Sequence, residues 1–215
     1  MLESLFVKSS DLASIKDTEH DEAILVLPYI DHELAVRLEV VLRERARSPG
    51  LVILVDDDKR MGFIMAANLV YAWTRSPYFG YLAQDAFPGD HWLEQGLKTL
   101  KDSKSGLLAF NDGRFFGTVA VFGLAHRAWL ETIYHNALFY PEYKTHFGDT
   151  ELTAIAYMQD KLVFNPNCLL VEVDYRKHEQ PLNPEDQELY NSRARTGFNG
   201  LVAPFDPEEA AAERI

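Results

Sequence analysis

Ala23-Ile24-Leu25-Val26-Leu27, closed by Pro28, and Leu51-Val52-Ile53-Leu54-Val55, running straight into Asp56-Asp57-Asp58, decide how this chain is read. Neither run alternates apolar with polar residues, so each fits a strand buried on both faces rather than one with a wet side. Between them Asp31 is placed to cap a helix. Leu34, Leu38, Val41 and Leu42 recur at i, i+4, i+7 and i+8, Arg43, Glu44, Arg45 and Arg47 make the far end polar, and Ser48-Pro49-Gly50 stops it. Downstream, Met61, Ile64, Met65, Leu69 and Ala72 mark a second helical stripe. A strand over Tyr78–Ala83 ends at Gln84-Asp85, and after Pro88-Gly89-Asp90 a helix carries Leu93, Leu97 and Leu100. The order β-α-β-α-β-α requires helix-length crossovers and predicts an α/β chain of three layers, helices on both faces of a mostly parallel sheet.

The second half is less regular. Strands are expected at Gly106–Phe110, Val119–Phe122 and Cys168–Tyr175, with helices from His126 to about Leu138 and from Asp149 to about Gln159. The segment from Pro181 to Ile215 reads as a polar tail. The 215 residues, 47% hydrophobic and 25% charged, suit one globular domain, with a regular half over about 23–110, a less regular half over about 111–178, and the tail over 179–215. A formal charge of −12 argues against a nucleic-acid surface spread over the whole protein. The single cysteine, Cys168, allows no internal disulfide and no thiolate metal site. Neither a secretion signal nor an apolar run of membrane-spanning length is present, which points to the cytoplasm.

In a parallel α/β sheet, ligands gather beyond the carboxyl ends of the strands. Here those ends deliver Pro28-Tyr29 with Asp31, Asp56-Asp57-Asp58-Lys59-Arg60, and Gln84-Asp85 to one rim. Clustered carboxylates repel one another, so the rim calls for a cation or for donors such as ribose hydroxyls. Taken singly, each aspartate equally suits a turn or a helix cap. Asn68, on the inward stripe of its helix, either satisfies a neighbouring loop or faces a ligand phosphate. Phosphate loops of the Gly-x-x-x-x-Gly-Lys type, dinucleotide fingerprints and nucleophilic-serine elbows are absent, leaving kinase, dehydrogenase and esterase readings without support.

From Ala23 to Glu94 the chain resembles the GT-A glycosyltransferases, particularly the large inverting family 2-like group with many bacterial sugar transferases. Pro28-Tyr29 looks like that family's opening strand and Val55-Asp56-Asp57-Asp58 like its second-strand acidic turn. Tyr81 to Pro88, followed by Trp92-Leu93-Glu94, looks like the segment with the metal-binding Asp-x-Asp motif. Gly148-Asp149-Thr150-Glu151-Leu152 is similar to the acidic start of the acceptor-side helix. The resemblance extends over about residues 23–178, with one departure: the Asp-x-Asp register places Ala83 and Asp85, so one carboxylate is missing.

The resemblance implies a transferase that moves a sugar from a nucleoside diphosphate sugar to an acceptor hydroxyl with inversion, aided by Mn2+ or Mg2+. It assigns Asp149 as base, Asp85 as metal anchor, and Asp56, with Asp57 or Asp58, as reader of the nucleotide base or ribose. Pro28-Tyr29 form the pocket wall, and Arg60, Asn68 and Gln84 complete the donor side. His178 is a second metal candidate, with Asp174 its rival and His91 weaker. The acceptor side is expected around Asn111, Asp112, Arg127 and Glu151, within a region carrying Phe115, Phe116, Phe122, Trp129, Tyr134, Tyr140 and Tyr143, about two of which are expected to meet ligand rather than core. Asp149 also suits a helix cap. The acceptor is a saccharide, a lipid-linked sugar, a protein or a modified nucleic-acid base. Two rival readings are an idle nucleotide-binding or scaffold protein, motivated by Ala83, and, ranked last, a nucleotidyltransferase, whose glycine- and lysine-rich loop is missing at Pro28–His32.

Overall fold

The computed structural model describes residues 1–173 and 181–212. In chain order the strands are β1 (Leu2–Lys8), β2 (Thr18–Glu19), β3 (Ala23–Tyr29), β4 (Gly50–Asp56), β5 (Thr74–Arg75), β6 (Tyr78–Tyr81), β7 (Ala86–Pro88), β8 (Leu107–Asn111), β9 (Gly123–His126) and β10 (Leu162–Glu172). The α-helices are α1 (His32–Ala46), α2 (Phe63–Trp73), α3 (Trp92–Ser103), α4 (Arg127–Tyr134), α5 (Gly148–Met158), α6 (Pro184–Ala194), α7 (Gly197–Gly200) and α8 (Pro207–Ala212), with a 3-10 segment over Ser9–Ile15. Eight strands form one sheet in the order β1-β4-β3-β6-β9-β8-β10-β7, and β2 pairs with β5 beside it. Strands β1, β4, β3 and β6 are mutually parallel, β10 runs parallel to β8, and β9 and β7 are antiparallel to their neighbours.

All seven residues of β3 are buried. Its alternate side chains divide between two cores, as a doubly covered strand must. Ile24 and Val26 join Ile53, Val55, Phe79 and Tyr81 against α2, α4 and α5, whereas Leu25 and Leu27 join Val52, Leu54, Leu108 and Phe110 against α1 and α3. The three expected layers are therefore present.

Several local expectations change. The N-terminal residues, for which no strand is expected, form β1, an edge strand along β4; Leu2 and Val7 are buried while Leu5 and Phe6 are partly exposed, so no alternation marks it. The strand expected at 119–122 begins instead at Gly123. There β9 crosses Tyr81 so closely that a Cβ on Gly123 would lie 2.5 Å from the tyrosine Cζ. The stripe in α2 is also different. Met65 is 57% exposed, and the buried face is Ile64, Ala66, Ala67, Val70 and Tyr71, because small alanines let the helix lie close to the sheet. Helix α4 ends at Tyr134, one turn short of expectation.

The segment beyond Pro181, read as a polar tail, contains α6–α8 and adds Tyr190, Ala194 and Phe198 to the core. An ion pair fastens it. Arg193 donates through Nε to Glu151 Oε2 (2.8 Å) and through Nη2 to Oε1 (2.6 Å), and both side chains are buried. The same carboxylate accepts the hydroxyls of Tyr134 and Tyr143, and the guanidinium lies 3.3 Å from the Tyr140 ring centroid. With both oxygens of Glu151 saturated, deleting one partner strands a buried charge. Arg193→Ala should lower unfolding stability by about 3–5 kcal/mol, measured by urea denaturation; a loss under about 1 kcal/mol, the usual value of a surface pair, would show that the pair is not what holds the segment.

Candidate functional site

The carboxyl edge of the sheet collects the ends of β3, β4, β6 and β8 together with the N-termini of α1, α2 and α5. Helix N-termini present unpaired N–H groups and a partial positive charge, so this edge attracts anions. A split in the sheet opens here. Pairing between β3 and β6 ends at Val26↔Tyr81, the last bond on that side being Leu82 N–H to the Val26 carbonyl. Backbone groups of alternate residues face alternate neighbours, so Pro28 turns its missing N–H toward the departing strand, where no ladder bond is needed. Tyr29, facing the other way, still accepts from the Asp57 N–H. Across the split, Gln84 Oε1 accepts the N–H groups of Ile30 (2.9 Å) and Asp31 (3.1 Å). Gln84 is thereby engaged in shaping the β3–α1 turn, and Asp31 caps α1 by accepting from Leu34.

The acidic triplet divides into three environments. Asp57 is buried and accepts from the N–H groups of Met61 and Gly62, fixing the turn into α2. Asp58 is exposed and accepts from the Ser9 hydroxyl and from the Ser10 hydroxyl and N–H, tying β4 to the 3-10 segment. Asp56 has no side-chain hydrogen bond among the described residues. It pairs in register with Tyr29, whose phenol is raised by burial and by the Asp56 charge. Tyr29 packs edge-on against Phe6 and lies beside His32, so Asp56 adjoins an aromatic wall. The sequence hid Phe6 and His32 because β1 carries no clean period and α1 shows only its apolar stripe. Arg60 is exposed and has positive φ.

Asp85 is buried, four residues past the end of β6, and its carbonyl accepts from Val173 at the end of β10. Asp112 is also buried. Its Oδ1 accepts three N–H groups, from Arg114, Phe115 and Phe116, and organises the loop after β8, while Oδ2 has no partner among the described residues. Arg114 pairs with Glu172 at 3.0 Å and lies over Phe115. Asn111 is occupied locally, donating to the Pro166 carbonyl and accepting from Gly113. Phe122 and Tyr143 are core, Tyr134 and Tyr140 serve the Glu151–Arg193 pair, and Trp129 donates to Gln159. Phe115 and the 60% exposed Phe116 are the rings left at the rim.

No group of three or more His, Cys, Asp or Glu side chains among the described residues is arranged to cage a metal. His178 and Asp174 lie outside the described residues. His91 is exposed and engaged with Glu94 at 2.6 Å. Magnesium and manganese sites, however, commonly use one or two protein carboxylates and complete their shell with substrate phosphate oxygens. Asp85 fits that donor set.

Asp149 stands in the first turn of α5, half-buried, with Oδ1 accepting from the Thr150 N–H and hydroxyl. The cap position itself is Phe147 in the left-handed region, so Asp149 is not the cap. Burial raises its carboxyl above the usual range, and its charge acts on the buried Tyr81 hydroxyl. Three further residues are engaged in structure. Glu151 is fully buried in its ion pair. Arg127 is buried, donating to the carbonyls of Ser76 and Tyr71, and burial lowers its pKa. Asn68 serves the loop after α4, donating to the Phe139 carbonyl and accepting from Leu138 and Phe139. Asn68 and Arg127, like Oε1 of Gln84, are engaged by partners far along the chain, which no local pattern announces.

Comparison with solved structures shows a fold of the GT-A type, shared with the neighbours that follow. The mannosyltransferase PcManGT from Pyrobaculum calidifontis, in complex with GDP-Man and Mn2+, matches with a TM-score of 0.58 at 15% identity, covering 86% of this chain and 67% of that one. S. aureus TarS 1–349 in complex with UDP-GlcNAc matches with a TM-score of 0.61 at 12% identity, covering 81% and 66%. The chain thus spans about two thirds of the length of these neighbours. No family model and no curated protein matches it by sequence. No helix among the described residues is long and apolar enough to cross a membrane.

Asp58 makes the rim's tether to the N-terminal segment dependent on pH. Chiefly the Ser10 hydroxyl, with the Ser10 N–H, the Ser9 hydroxyl and Lys59 adding, lowers its carboxyl to about 2. A folded value below the unfolded one, about 3.9, stabilises the fold above that pH, and the contribution disappears as pH falls through about 2. The stability gap between wild type and Asp58→Asn should be flat near neutral pH and shrink below about pH 4, as read by urea unfolding across pH. A gap independent of pH would place the tether elsewhere.

Proposed function

We propose that this chain transfers a sugar from a nucleoside diphosphate sugar to an acceptor hydroxyl, with inversion at the anomeric carbon, with a divalent cation at Asp85. The observation that carries the reading is the carboxyl-edge split. Asp56 beside Tyr29 and the half-buried Asp149 belong to elements that end or begin there, and the buried Asp85 lies in the loop after β6, on a fold whose neighbours hold nucleotide-sugar donors.

In this mechanism Tyr29 and Asp56 receive the nucleoside, the aromatic ring bounding the pocket and the carboxylate accepting from base or ribose donors. Asp85 would hold a divalent cation, which would supply charge neutralisation of the departing diphosphate. Asp149 accepts the proton of the acceptor hydroxyl as its oxygen bonds to the anomeric carbon, and the bond to the diphosphate oxygen breaks with its electron pair. Burial of Asp149 strengthens it as a base, since a carboxyl raised toward neutrality takes a proton more readily than an exposed one. The loop fixed by Asp112 presents Arg114, Phe115 and Phe116 on the side where an acceptor would approach.

Ala83 in place of the first acidic residue favours a second reading, an idle nucleotide-binding protein on the same fold. Incubation with a panel of nucleotide sugars and Mn2+ separates the two, because steady release of nucleoside diphosphate excludes it.

Asp149→Asn should reduce turnover by about 10^2–10^4-fold while leaving donor affinity within about threefold. The wild-type rate should fall with acidification at a pH above the ordinary carboxylate range, since the base must be ionised and burial raises it. An unchanged rate in the variant removes Asp149 from the chemistry. Nucleoside diphosphates should raise the melting temperature further when Mn2+ is present, by mass action on the native state. Asp85→Ala should abolish the manganese increment, and a preserved increment would put the cation elsewhere.

A further inference from the structure

The opposite, amino edge of the sheet carries a cleft of about 370 Å3 lined by Tyr78, Lys101, Lys104, His126, Trp129 and Lys161, with Leu100, Ser105 and Gly106 completing it. Three lysines and a histidine line this cleft without an acidic residue, in a chain of net charge −12. They come from separate elements. Lys101 and Lys104 are at the end of α3, Lys161 is in the turn before β10, and His126 is the last residue of β9. Lys101 is partly committed, to Glu22 at 2.5 Å and to the face of Tyr78. Neither Lys104 nor Lys161 has a side-chain hydrogen bond or ion pair among the described residues.

Cations after α3 and α5 also offset the negative ends of those helices. The antiparallel β9 adds what that role does not require. Because β9 returns to the amino edge, α4 begins beside this cleft; its first two N–H groups are taken by the Pro77 carbonyl and by His126, so the helix contributes its partial positive charge and not its N–H groups. His126 caps it, its Nδ1 accepting from the Ala128 N–H, so the neutral ring carries its proton on Nε2 as a further donor. The floor is shaped as well. A Cβ on Gly106 would lie 2.3 Å from the Trp129 ring, so glycine there lets the indole close one wall.

We propose that this cleft binds a phosphate monoester dianion, at Lys104, Lys161 and His126 Nε2, beside the positive end of α4 and separately from the carboxyl-edge site. The phosphate belongs to a small soluble ester or to a lipid headgroup, and the two arms of the test tell these apart. Proton NMR at low salt follows the His126 ring and the Trp129 indole during titration with inorganic phosphate. In parallel, sedimentation measures retention on vesicles containing phosphatidic acid. Saturable shifts of both signals that weaken with added salt support a soluble ligand. Vesicle retention supports the headgroup. In either arm Lys104→Ala/Lys161→Ala should weaken binding by about tenfold or more, as loss of charge-assisted bonds demands. Lys16→Ala/Lys98→Ala, with the same change in net charge, should leave it intact. The proposal is overturned if neither arm shows binding, or if the two double variants weaken it equally.

Discussion

A strand covered on both faces cannot carry a polar side chain along its length, and that constraint governs the whole molecule. Buried charge without a partner is costly, so β3 as far as Pro28 and the centre of β4 are apolar throughout, and their polar chemistry is displaced to the strand ends. The right-handed crossovers of a parallel sheet then set those ends beside helix N-termini. What makes a crevice of the edge is smaller: a proline whose absent N–H falls where β6 leaves β3, and a glutamine amide that bridges the gap.

Within that edge, structural and chemical roles are separated residue by residue. Asp57, Asp58 and, through Oδ1, Asp112 accept from backbone N–H groups and serine hydroxyls, which holds the turns rigid. Asp56 and Asp149 keep capacity to accept, one beside an aromatic wall and the other raised by burial at a helix start. Rigid turns around a few less committed carboxylates are what positioning a flexible ligand requires, since each ordered loop removes freedom that binding would otherwise have to remove.

The antiparallel β9 has two consequences. At the carboxyl edge its crossing over Tyr81 pins the loop from Asp112 through the tyrosine hydroxyl, which donates to the Ala120 carbonyl at 2.7 Å. At the amino edge it starts α4 and brings His126 and Trp129 beside lysines from α3 and the α5–β10 turn. The segment with α6–α8 acts on α5 instead, locking the helix that carries Asp149 through Glu151, two residues further on.

The sequence by itself determined the layers, the parallel core and the rim. Five-residue aliphatic runs and helical stripes are local signals, and Asp31, Leu93, Leu97 and Leu100 behave as their spacing requires. It also determined which strand ends bear Asp56 and Asp85. Only the tertiary structure decided which polar residues are already spoken for. Asn68 bonds to residues about 70 positions away and Glu151 to one 42 away, and such long-range partners leave no trace in periodicity or composition. For the same reason β1 and the helices after Pro181 were not legible: an edge strand and a peripheral helix bury too little of one face to print a pattern, and they hold their places through contacts with distant parts of the chain.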